Sequence, residues 1–542
     1  MRPGLRTKGL AAVTVLALAL SAGCTASSTE RTAGTPLDFD DLLTATDAGT
    51  TDAGTVRWNL PYEPLSLDPI KSFNYAENTA LANACESLLR AEPDFGVGPA
   101  LAEKWDNPDP TTWVYTLRKG VTFWNGRPLT ADDVAWSIGR NLDPDSGSYL
   151  TKYFVNVEAV EATGPLEVTI RLKRPDALLN QALATMAGIV TEKSSAVAAG
   201  EEFGTPRHLP MCTGPFELET WAAGDKLTMT RNEDYWDADL KAKSARLELT
   251  FIADESTAVL ALRNGDIDGQ YFFLPPAGLD QLRSGDVGDV VLGDSLIYWT
   301  LIAAATEGPF ADPRVRQALL LATDRAALTE AVFQGAAIPA HTLAPPASWT
   351  YANDTFERAY DEAPLPDADI DEATRLVEEA NVTEPITIAV QGSSAVHEQT
   401  GNLLQAAAEA IGLDVEVKKI PVEQYGNLYV DPAARKGIDA FLSTYYGVAD
   451  PLDSYTMFES TDYSNFTGYT EADDLLSAAR EELDPERRAD LVADLQEQIG
   501  QEVLWSPLAF LPVIMFQSKR VTGAMPSSNY LYYPWASGIG AR

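Results

Sequence analysis

Between residues 56 and 300 the apolar positions repeat more often with the period of a strand than with that of a helix. Trp113, Tyr115 and Leu117 alternate with their neighbours, as do Leu166, Val168, Ile170 and Leu172, and again Leu247, Leu249 and Phe251. Alternation at period two predicts half-buried strands. Asn125-Gly126 marks a turn, and Thr130-Ala-Asp-Asp133 reads as a capping box opening a helix that presents Val134 and Ile138. After about residue 297 the pattern changes. Asp312-Pro313 and Thr323-Asp324 each start a helix, the second ending at Gly335. Residues 386–390, 413–417 and 438–442 read as strands and 397–411 as a helix. Two charged amphipathic helices follow at 471–483 and 486–500. Strand–helix alternation of this kind predicts an α/β lobe.

The N-terminus obeys neither period. Arg2, Arg6 and Lys8 precede an unbroken run of Ala, Val, Thr and Leu over residues 10–20, followed by Ser21-Ala22-Gly23-Cys24. The run suits a signal peptide and is short for a membrane span. A cysteine behind small residues is what lipoprotein processing requires, so residues 1–24 are expected to be a lipoprotein signal peptide with Cys24 as the lipid-bearing residue. An ordinary secretory leader, with Cys24 incidental, is the alternative. Residues 25–54 are rich in Thr, Ala, Gly, Ser and Asp. They cannot bury much apolar surface and read as a flexible tether. The apolar stretch 504–516 is the longest in the remainder, and it is short and carries Pro507 and Pro512.

Charge narrows the partners. The leader removes three of 40 basic residues and none of 79 acidic ones, leaving a net −42. Such a surface repels nucleic acid and anionic headgroups. If Cys24 carries lipid, Cys85 and Cys212 remain, an even number in an oxidising compartment, which favours a disulfide over two buried thiols.

Signals for chemistry are weak. Gly293-Asp-Ser-Leu296 matches a short esterase motif, but none of the three histidines, His208, His341 and His397, follows in an Asp-x-x-His context. Asn264-Gly-Asp-Ile-Asp-Gly269 begins like a calcium loop, yet Pro275 stands where a bidentate Glu belongs. Dispersed histidines argue against zinc, and no phosphate-binding loop appears. No metal or cofactor is expected, and an enzyme is disfavoured.

A series of longer blocks is more specific. GPALAEKW at 98–105, WVYTLRKGVTF at 113–123 and NGRPLTADDV at 125–134 are followed in order by TGPF at 213–216 and RNEDYW at 231–236. LRNGDIDG at 262–269 and PFADPRVRQAL at 309–319 complete the series. Together these resemble the extracellular solute-binding family 5, the receptors of peptide and nickel ABC importers. The resemblance implies a two-lobed periplasmic-binding-protein-like α/β fold of type II. Lobe I with an inserted subdomain would span 56–297, lobe II 298–505, and 506–542 would return to lobe I. The crossovers fall near 295–298 and 504–507, and the ligand lies between the lobes.

Peptide-binding members usually place an aspartate ahead of an Asp-Pro in the second lobe, where it pairs with the peptide's α-ammonium. Here the segment 444–451 is TYYGVADP and the matching position is Gly447. Asp450 or Asp453 could substitute. Scarce histidine disfavours nickel. The expected ligand contacts are Tyr445, Tyr446, Tyr298, Trp299 and Asp450. The expected function is that of a monomeric receptor, lipid-anchored on the outer face of the membrane. It captures an oligopeptide or peptide-like solute for an ABC permease. An oligosaccharide receptor, an exported hydrolase using Ser295, and an adhesion or sensing lipoprotein are the alternatives.

Overall fold

Two long antiparallel strands, Gly288–Ala303 and Trp505–Ser518, run through both halves of the molecule and join them. The computed structural model describes residues 42–542 except 73, 273, 364–367 and 393. Residues 288–293 pair with 513–518, and residues 297–302 with 505–511. Between these registers, residues 294–296 bulge opposite Pro512, whose missing N–H removes a ladder bond. Gly293 is pressed against Pro526 there: a Cβ would lie 1.6 Å from the Pro526 carbonyl oxygen.

On one side of the bulge the sheet continues through Gly269–Phe272, Thr55–Leu60, Arg246–Phe251, Lys226–Arg231 and Phe216–Ala222, forming lobe I. On the other it continues through Ala440–Tyr445, Ile386–Gln391 and Val415–Ile420, forming lobe II. A separate antiparallel sheet of Ala102–Asp109, Thr112–Leu117, Glu167–Leu172 and Val157–Gly164 lies within the lobe I sequence. The helix Ala131–Gly139 accompanies it, opened by the reciprocal Thr130 and Asp133 capping box. In lobe II, Asp312 caps Pro313–Ala322, Asp324 caps Arg325–Phe333 and Asp484 caps Pro485–Glu502. Side-chain oxygens there satisfy first-turn N–H groups that have no partner within the helix.

Two boundaries differ from the sequence expectation. The second crossover lies at residues 511–513, not 504–507: residues 505–511 still pair with 297–302 and 338–339 in lobe II, a smaller register shift at Leu508 falls inside that pairing, and the wider break comes at Pro512. The tether expectation fails for residues 42–54. Leu43 N–H donates to Leu292 O at 3.1 Å, Thr50 N–H to Ala541 O at 3.2 Å, and Asp52 accepts from Ala245 N–H at 3.0 Å. Hydrogen bonds from backbone and side chains fasten this segment, with Leu42 and Ala53 packed against the core at its ends. Gly49 and Gly540 permit the approach, since a Cβ on Gly49 would lie 2.3 Å from Gly540 Cα. Cys24 and residues 25–41 lie outside the described residues. Among the described residues no helix is long and apolar enough to cross a membrane.

Candidate functional site

Residues from both lobes meet beside the bulge. Lobe I contributes the helix Tyr75–Ala84 and the short turn Thr151–Phe154; lobe II contributes the end of Ala440–Tyr445 and the turn Pro451–Phe458. Tyr75 and Asn78 stand three residues apart on their helix and so face the same way. The Tyr75 ring lies 4.7 Å from that of Tyr446, and Asn78 Nδ2 donates to Tyr446 Oη at 3.3 Å. Tyr298 and Tyr445 are opposite one another in register, with rings 5.3 Å apart, and Trp505 closes edge-on against Tyr445 at 5.8 Å. Burial pushes the phenols of Tyr298, Tyr445 and Tyr446 well above the usual tyrosine range, so these walls are neutral hydrogen-bonding surfaces.

Among the described residues three ion pairs join the lobes: Arg174–Glu481 at 2.8 Å and Asp176–Arg480 at 3.5 Å, and a third beside these aromatic walls. Lys152 Nζ, from lobe I, donates to Tyr445 Oη at 2.7 Å and stands 3.7 Å from Asp453 Oδ1 of lobe II. Burial is the largest single effect and works against the Lys152 ammonium, but Asp453 first, then Tyr153, Asp462 and Tyr463, together outweigh burial and hold the lysine above its ordinary pKa. Asp453 Oδ2 accepts from Tyr445 Oη and from Val448 N–H, each at 3.1 Å. Asp453 Oδ1 and Tyr298 Oη are buried without a hydrogen-bond partner. The Asp453 carboxylate lies where a side chain at 447 would go: a Cβ on Gly447 would be 1.7 Å from Asp453 Oδ2.

The expected contacts separate into two groups. Tyr298, Tyr445 and Tyr446 reach the cleft. Trp299 points to the other face of its strand, as adjacent strand residues must. There it packs inside lobe II, 4.7 Å from the His397 ring and 6.1 Å from Phe333. Asp450 is fully buried in lobe II, where its carboxylate accepts from Arg488 at 3.2 Å, from Tyr351 Oη at 3.0 Å and from Leu452 N–H at 3.0 Å. It caps the turn that carries Asp453 and is an anchor within the lobe. Ser295 sits in the bulge with its hydroxyl accepting from Ile297 N–H at 3.0 Å. His397 is neutral, its pKa lowered by burial to about 3. Among the described residues no group of three or more His, Cys, Asp or Glu could hold a metal. Tyr75, Asn78 and Lys152 had no distinguishing pattern in the sequence.

Cys85 and Cys212 are bonded, with Cα atoms 5.0 Å apart. Cys85 ends the helix that presents Tyr75 and Asn78. Next to it the buried Glu86 carboxylate accepts from Thr213 and Trp236 at 2.8 Å and from Tyr235 at 2.9 Å. The disulfide and this carboxylate together fix the lobe I wall.

Two lobes on a shared pair of strands, with buried phenols and an ion pair between them, define a bilobal binding-protein fold. Residues 96–467 match the family model "Bacterial extracellular solute-binding proteins, family 5 Middle", and the chain belongs to that family. It is 26% identical over 505 residues to the dipeptide-binding protein DppE of Bacillus subtilis, covering 88% of this chain and 90% of the relative. It is 27% identical over 488 residues to the glutathione-binding protein GsiB of Salmonella choleraesuis, covering 86% and 91%. Its fold matches the oligopeptide-binding protein AppA of Bacillus subtilis, solved with a nonapeptide. That match has a TM-score of 0.79 at 21% identity, over 92% of this chain and 100% of the other.

Proposed function

We propose that this chain is the extracytoplasmic receptor of an ABC importer and captures a peptide-like solute between its lobes for delivery to a permease. The carrying observation is the buried Asp453 carboxylate, set in the space beside Gly447 among neutral phenols with one oxygen lacking a donor. A peptide offers N–H donors for such an oxygen and side chains for aromatic walls. The relatives' names point to the same ligand class. No bond is made or broken. Binding draws the lobes together, because the solute touches both only when they are closed. The receptor acts as a monomer and is held to the outer membrane face by lipid on Cys24. Cys24→Ser is expected to release the protein from the membrane fraction into the medium; retention of the variant in membranes counts against the anchor.

Mass spectrometry of co-purifying material, followed by melting with each candidate, tests the ligand class. A solute at 100 times its Kd raises stability by about 2.7 kcal/mol. Tyr446→Ala, which removes the contacts with Tyr75 and Asn78, is expected to weaken binding tenfold or more. Oligosaccharides alone among the bound material would replace the peptide reading, since phenol faces also stack on sugars. No response to any solute would remove the receptor reading.

A further inference from the structure

The two oxygens of Asp453 have unequal surroundings. Its side chain is 2% exposed. Oδ2 holds two donors, while Oδ1 holds none, and the Tyr298 hydroxyl is likewise unpartnered. These two buried polar groups are close enough for the Asp453 charge to raise the Tyr298 phenol further, after burial itself. A buried carboxylate needs both a counter-charge and hydrogen-bond donors. The Lys152 ammonium supplies the first. At 3.7 Å from Oδ1 it is too far to supply the second, and its hydrogen bond goes to Tyr445 instead. It is steadied over the rings of Tyr153 and Tyr445 at 4.7 and 5.2 Å.

From this arrangement we infer that Lys152 sets the charge preference of the site. Its ammonium meets the charge of Asp453, leaving Oδ1 and the Tyr298 hydroxyl to be satisfied by an uncharged N–H or O–H of the solute. A solute bringing an ammonium to Oδ1 would place a second cation beside Lys152, and like charges at that range disfavour each other. The preferred solute therefore presents an amide, a blocked amine or a hydroxyl at this point. The resemblance to peptide-binding relatives would have placed a free α-ammonium there. The inference rests on the receptor reading above and narrows its ligand. Lys152 stands on lobe I and Asp453 on lobe II, so the preference is expressed only when the lobes are together.

The test compares wild type, Lys152→Met, Lys152→Arg and Lys152→Met/Asp453→Asn by calorimetric titration with tetra-alanine and N-acetyl-tetra-alanine. Wild type and Lys152→Arg are expected to favour the acetylated peptide. In Lys152→Met the ratio of the two Kd values is expected to move tenfold or more toward the free amine. The double variant, lacking the carboxylate charge, is expected to lose that gain. A ratio unchanged within twofold between wild type and Lys152→Met overturns the inference. If neither peptide binds any form, the peptide reading falls, and solutes co-purifying with wild type and Lys152→Met decide the role of Lys152. Enrichment of amine-bearing solutes in the variant supports it, and identical pools overturn it.

Discussion

Gly447→Ala is expected to lower stability by about 2–4 kcal/mol, and Gly447→Asp by more, with solute binding lost in both. The backbone at 447 lies outside the left-handed region, so the demand for glycine does not come from φ. It comes from Asp453, whose Oδ2 would be 1.7 Å from the new Cβ, and from the Tyr445 ring at 3.2 Å. Either the carboxylate leaves, breaking its bonds to Val448 N–H and Tyr445 Oη, or the turn shifts. Lost hydrogen bonds to a charged group cost about 1.5–3 kcal/mol, and overpacking about 1–3 kcal/mol. A second carboxylate at 447 adds charge repulsion in a buried place. Pairing Gly447→Asp with Asp453→Gly is expected to recover stability, since one carboxylate then occupies the shared volume. Urea denaturation of the three variants measures this. A Gly447→Ala protein within about 0.5 kcal/mol of wild type, the ordinary spread of a neutral surface change, would show that Asp453 does not occupy this space.

Cys85→Ser with Cys212→Ser is expected to have the next largest effect. The bond closes a separation of 127 residues. A loop of roughly 100 residues is worth about 4.7 kcal/mol in the chain-entropy account, and removing a native disulfide costs about 2–5 kcal/mol in practice. The neighbourhood does not depend on the sulfurs alone. Glu86 keeps its three donors, and Gly214 N–H still reaches Ala84 O at 3.0 Å. The loss should therefore appear as a lower melting temperature with native circular dichroism, not as an unfolded chain. Identical melting in the presence and absence of reductant would contradict it.

Local elements were legible because their causes are local. The capping box at Thr130 and Asp133, the Asp-Pro helix start at 312–313 and the strand at 386–391 depend on residues within a turn of each other. Features that depend on distant partners were legible in part or not at all. Tyr298 and Trp299 are consecutive large aromatics, and alternation guarantees that only one shares the face of Tyr445. The sequence carries no sign of which, because both sides of that strand are covered. Asp450 and Asp453 look alike in the string ADPLD. Arg488, 38 residues on, makes the first an anchor, and Lys152, from the other lobe, makes the second part of the cleft. The crossover lies one proline later than the sequence suggests, as Pro507 and Pro512 are equal candidates until the pairing register is known. Residues 42–54 have a disordered composition but complementary backbone partners at 292–294, 538 and 541, which composition cannot reveal.

The bulge at residues 294–296 opposite Pro512 has a mechanical consequence. The lobes are joined by a sheet that stays hydrogen-bonded on either side of its widest break, with a smaller register shift at Leu508 beyond it, rather than by slack cords. A sheet of this kind resists twisting and stretching and yields most easily by folding about that break. The connection then behaves as a leaf spring creased chiefly at the wider break, which favours one direction of travel for the two jaws. Lys152 and Asp453, brought in from opposite jaws, would meet at the same point on every stroke.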